Sequence, residues 1–96
     1  MLYVPEEHVT EVITGHSFQT STDRGVVRLA DVVVPEPGLP RANRARAVLE
    51  DLILGRFVRI KLRLFDRTAI RTADVWRHIG GDYEYVNALV QLSLNW

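Results

Sequence analysis

Residues 56–65, RFVRIKLRLF, alternate without a break. Val58, Ile60, Leu62 and Leu64 fall on one side of an extended chain, and Arg59, Lys61 and Arg63 on the other. That is the period of a strand with one wet face. Upstream, TEVITGHSFQTST surrounds Gly15 with β-branched and aromatic residues and predicts two short strands meeting in a tight turn at Gly15 and His16. DRG at 23–25 is a second turn signal. Val26 to Val34, VVRLADVVV, is largely apolar and predicts a third, central strand. PEPGLP then ends regular structure, because its three prolines remove donors and fix backbone angles.

The period changes at residues 42–55, ANRARAVLEDLILG. Ala45, Val48, Leu49 and Leu52 recur at helical spacing, while Arg44, Arg46, Glu50 and Asp51 take other faces. Gly55 stands where a left-handed C-cap stops such a helix. DRTA at 66–69 turns the fourth strand into a fifth, Ile70 to Ile79, with Trp76 expected in the core. GGD at 80–82 is a hairpin-type turn, and YVNALVQLSL reads as a short helix with Val86, Leu89 and Val90 on one face. Five short strands with a helix between the third and fourth predict a mainly β fold. It is a small OB-type Greek-key barrel, five-stranded, with a short C-terminal helix. The 96 residues suffice for one core and not two, so 1–96 is read as a single domain.

Composition narrows the chemistry. With no cysteine, disulfides, thiolate metal sites and a cysteine nucleophile are excluded. No apolar run is long enough to span a membrane, and MLYVPEEHVTEV lacks the basic start and apolar region of a signal peptide, so a cytoplasmic protein is expected. The formal net charge is zero, yet residues 41–71 hold nine basic groups against three acids, so the chain is able to present a basic face. Eleven of the twelve basic residues are arginine, whose planar fork suits phosphate. His8, His16 and His78 have no ligand spacing, and no Ser–His–Asp order suggests a triad. Phe18, Tyr83 and Tyr85 either stack bases or pack against the barrel. Trp96 either packs on the barrel or marks a contact with another chain.

Four segments, VVRLADVVVPEPG, ARAVLEDLILGRFVRIKL, DRTAIRTADVW and GGDYEYVNALVQLSL, together resemble the staphylococcal nuclease-like (thermonuclease) domain family over roughly residues 10–94. Family members read there as Arg-Leu-x-Gly-Ile-Asp-x-Pro-Glu, then Ala-x-x-x-Leu-x-x-Leu-x-x-Gly-x-x-Val, then Asp-x-Tyr-Gly-Arg, then Val-Asn-x-x-Leu-Val. The resemblance implies an OB-type barrel and an ancestry of calcium-dependent cleavage of DNA and RNA by two arginines and a glutamate. It assigns Arg28 to the first arginine and Glu36 to the glutamate. Ile70 stands at the second arginine, and Arg71, one residue on, falls on the opposite face of a strand. The family's metal positions correspond to His16, Val33 and Val34, which give a hard, oxygen-seeking ion little to hold.

The resemblance therefore implies a degenerate member without calcium chemistry, so no cofactor is expected. Nucleic acid is the expected partner, bound through Arg41, Arg44, Arg59, Lys61, Arg63 and Arg71. Two alternatives stay open. One is an active calcium-dependent nuclease whose site is rebuilt with Asp31 or a main-chain carbonyl and with Arg71 swung in. The other is a protein-interaction module or homodimer with no nucleic acid partner.

Overall fold

The computed structural model of the chain describes residues 6–22, 25–36, 38–65 and 70–94, the side chains at 64 and 65 excepted. Asp23 and Arg24 of one expected turn, the expected turn at 66–69, and Trp96 lie outside the described residues.

Six strands and two helices follow one another as β1 (Glu6–Thr14), β2 (Ser17–Thr20), β3 (Val26–Leu29), α1 (Pro40–Ile53), β4 (Phe57–Phe65), β5 (Ile70–Ile79), β6 (Asp82–Tyr85) and α2 (Val86–Leu94). Antiparallel pairing links β3 to β2, β2 to β1, β1 to β4 and β4 to β5. A parallel pairing of β3 with β5, Val26 opposite Ile70 through Leu29 opposite Ala73, closes the ring. The result is a closed five-stranded barrel of OB type, with the helix between the third and fourth strands as the sequence predicts. β6 stands outside the ring as a hairpin partner of β5, turned by Gly80 and Gly81, which both have positive φ.

The inward phase of the strands builds the core. Val58 and Ile60 of β4 cluster with Val75 and Ala73 of β5, with Val27, Leu29 and Phe18 beside them. In β1 the inward phase passes from Val9 to Val12 across an irregularity in its pairing with β2. α1 plugs one opening with Leu49 and Ile53, and α2 adds Val86 and Val90. α1 starts at Pro40, two residues earlier than the sequence pattern begins, because proline is pre-organised for the first helical turn. It stops as expected at Gly55, whose φ is 75°.

Two expectations are corrected. The third strand ends at Leu29 rather than Val34: Asp31 takes a left-handed conformation, φ 61°, and turns the chain out of the sheet. Trp76 is half-buried rather than core, because it shares the outward phase of Asp74 and packs against Tyr85 with ring centroids 5.4 Å apart.

Candidate functional site

The β1–β2 turn is pressed onto α1. A Cβ on Gly15 would come within 2.5 Å of the Ala45 Cβ, so only glycine lets the turn sit this close. The next residue, His16, is held by Thr14, whose hydroxyl lies 2.9 Å from Nδ1 and 2.6 Å from Ser17 Oγ. Burial, and then the nearby charge of Arg28, hold the His16 imidazole below its usual pKa.

Arg28 lies in β3, between Ser17 of β2 and Thr72 of β5, with its side chain exposed. After β3 the chain leaves the sheet and runs past the barrel mouth, pinned at several points. The Ala30 N–H donates to the Ala73 carbonyl at 2.8 Å. Buried Asn87 of α2 donates to the carbonyls of Ala30 and Ala73, each at 3.0 Å, and accepts from the Val75 N–H at 2.9 Å. Arg63 of β4 donates to Asp31 and, at 2.8 Å, to Asp74. Gln91 Oε1 accepts from the Val33 N–H at 3.2 Å. Held this way, Val32 is buried, Val33 is 78% exposed and Val34 is half-buried.

Between this segment, the β1–β2 turn and α1 lies a cleft of about 750 Å³. Arg28, Glu36, His16, Val33 and Val34 all line it, although they come from three separate stretches of sequence. Thr72, Asn43 and Arg46 complete its polar rim. Sequence reasoning left those three out of the site. Their signal is periodicity: Asn43 and Arg46 lie three apart on α1, and Thr72 is two residues from Ile70 on the same strand face. Ile70 itself is not among the lining residues.

The positions expected to hold calcium offer it little. Val33 and Val34 offer no side-chain oxygen, and His16 offers nitrogen. Of the two carboxylates lining the cleft, Asp31 is engaged by Arg63. Among the described residues, no three histidines or acids converge as metal ligands do.

The residues expected on a basic face divide. Arg41 and Arg44 are exposed on α1. Lys61 is exposed on β4, but its neighbours are engaged: Arg63 with Asp31 and Asp74, Arg59 with Glu6 at 3.9 Å and the Tyr83 hydroxyl at 2.9 Å. Arg63 holds the Asp74 carboxyl below its ordinary pKa.

Arg71 does not belong to that face. It is 3% exposed, in phase with Ala73 and Val75, and forms a two-pronged pair with Glu7 at 2.9 and 3.0 Å. The hydroxyls of Thr20 and Thr22 donate to the same carboxylate at 2.6 and 2.8 Å. Burial by itself would raise the Glu7 carboxyl, but Arg71 and the two threonines outweigh it and bring the pKa down to about 2.

Of the three aromatics considered for base stacking, Phe18 is core, while Tyr83 and Tyr85 stand on β6. Neither lines the cleft.

No protein-family model and no curated protein matches the chain. Among the described residues, no helix is long and apolar enough to cross a membrane.

Proposed function

We propose that the chain is a degenerate staphylococcal nuclease-like domain that binds single-stranded nucleic acid in the cleft and does not cut it. The observation that carries this reading is the convergence of Arg28, Glu36, His16, Val33 and Val34 on one cleft. These are five of the positions that the family resemblance assigns to phosphate, base and metal. Arg28 and Arg46 supply forked donors for a phosphate, and the valines supply an apolar wall for a sugar or base. Arg41 and Arg44 lie on the same helix as Arg46 and add positive field along the approach. The strand row Arg59, Lys61 and Arg63 contributes less, since none of the three lines the cleft.

Cleavage is not part of the reading. Without an oxygen-rich ligand set, nothing polarises the phosphate or acidifies an attacking water, and Arg28 with Glu36 leaves little rate.

The test is titration of a labelled single-stranded oligonucleotide by fluorescence anisotropy, with a cleavage assay on the same samples. With two phosphate contacts, binding weakens roughly five- to tenfold between 50 and 200 mM salt. Arg28→Ala and Arg46→Ala each weaken it further, and the strand stays intact with calcium or chelator. Chelator-sensitive cleavage that disappears in Glu36→Gln refutes the non-cutting half. A flat titration at low salt refutes the binding half.

A further inference from the structure

The pleat of the sheet gathers a second surface, separate from the cleft. Across β1, β4, β5 and β6, directly opposed residues share a face. One row runs Glu6, Arg59, Trp76, Tyr85, each opposite the next. A second joins His8 with Phe57 and His78 with Tyr83, and Lys61 opposite Asp74 begins a third. The same strands send Glu7, Val58, Val75 and Ile60 the other way, into the barrel. This outward face therefore carries six rings, packed in pairs: His8 on Phe57 at 5.1 Å, Trp76 on Tyr85 at 5.4 Å and His78 on Tyr83 at 5.1 Å. Phe57 is 59% exposed and Tyr83 41%.

A polar clasp fixes the face in shape. Arg59 reaches across β5 to lie 4.1 Å over the Tyr83 ring and to donate to its hydroxyl, which donates in turn to Glu6 at 2.8 Å. One link thus spans the sheet from β6 to β1.

We propose that this face is the docking surface for a second copy of the chain. The residue types are those that carry binding energy at protein interfaces: tyrosine, tryptophan, phenylalanine and arginine. The charges decide between occupants. The face and its rim hold three acids, Glu6, Asp31 and Asp74, against three bases, Arg59, Lys61 and Arg63, and the two arginines are already paired within it. A polyanion meets no net attraction there. An identical face meets no net repulsion, and a two-fold contact needs a patch that matches itself. The clasp keeps the ring positions set before docking, which lowers the ordering cost of association.

Four strands about 4.8 Å apart and three rows of side chains give roughly 400 Å² of outward face per copy. That is about half of what a standard stable interface buries on each partner, so the dimer is weak and forms only at high concentration.

The test is sedimentation equilibrium of the whole chain from about 10 μM to about 1 mM, a range in which weak self-association is read. The weight-average mass rises from the monomer value toward twice that value. Phe57→Arg holds it at the monomer value with an unchanged urea midpoint, while Leu92→Arg, on exposed α2 surface, leaves the rise intact. Arg28→Ala also leaves it intact, which keeps this result separate from the fate of the cleft reading. A monomer mass throughout overturns the proposal, as does a rise that survives Phe57→Arg. A labelled oligonucleotide bound by monomers and lost in Phe57→Arg also overturns it and gives the face to nucleic acid instead.

Discussion

Replacing Arg71 with methionine leaves the Glu7 carboxylate inside the barrel without its counter-ion. Glu7 is 4% exposed, and Arg71 supplies two of its four side-chain hydrogen bonds. Breaking a buried pair from one side costs about 3–5 kcal/mol. A chain of this length has about 5–14 kcal/mol of stability in all. The variant therefore loses a large share of its stability, and its melting temperature drops by roughly 15–30 °C.

Acid exposes the same pair in the intact protein. The carboxyl moves from its ordinary 4.5 to about 2 on folding, which corresponds to about 3 kcal/mol. Because the folded value is the lower one, this stability is complete above about pH 4.5 and drains away as pH falls toward 2. Urea unfolding followed by circular dichroism at a series of pH values separates Glu7 from the other carboxylates, provided that Glu7→Gln is run beside the native chain. The native curve falls more steeply between those two pH values, by about 3 kcal/mol. At neutral pH, Glu7→Gln combined with Arg71→Met regains part of what Arg71→Met loses, since no lone charge remains buried. Parallel acid curves for the native chain and Glu7→Gln, or a loss below about 1 kcal/mol in Arg71→Met, would refute the reasoning.

Gly15→Ala pushes the β1–β2 turn off α1 and costs about 1–3 kcal/mol in urea unfolding, and Ala45→Gly in the same chain restores part of it by removing the opposing methyl. Burial, and then the Arg28 charge, hold His16 below its usual pKa, so the cleft gains its positive charge only at a pH lower than an ordinary histidine needs. Oligonucleotide affinity therefore rises as the solution is acidified, and His16→Gln flattens that gain.

The strict alternation of RFVRIKLRLF, the helical spacing of Ala45, Leu49 and Leu52, and the glycine pair at 80–81 carry their structure locally, which is why the order of elements, β6 apart, is legible before any coordinates. Register is not local. Asp31 turns the chain out of the sheet inside a stretch that reads as continuous strand, and a single residue that tolerates the left-handed conformation is all that marks the break. The arginine row of β4 is visible in sequence, but of the acids that meet it Glu6 and Asp74 are brought in by pairing across the sheet, and Asp31 by the turn that leaves it. Arg71 reads as one more surface cation until its phase is counted against Ala73 and Val75. The cleft residues Arg28, Glu36 and His16 were reachable only through the resemblance, since no spacing in the chain links them. Asn43, Arg46 and Thr72 have no counterpart in the motifs and needed the folded chain to join them.

The seam between β3 and β5 has a bearing on how the barrel is made. Val26–Leu29 find their second neighbour only in Ile70–Ala73, and all of α1 and β4 is synthesised in between. A growing chain on the ribosome therefore carries an open four-stranded sheet, β3-β2-β1-β4, with two raw edges until β5 emerges. β5 then fastens to β4 on one side and β3 on the other in a single late event, and the protein waits on its fifth strand to become a protected object.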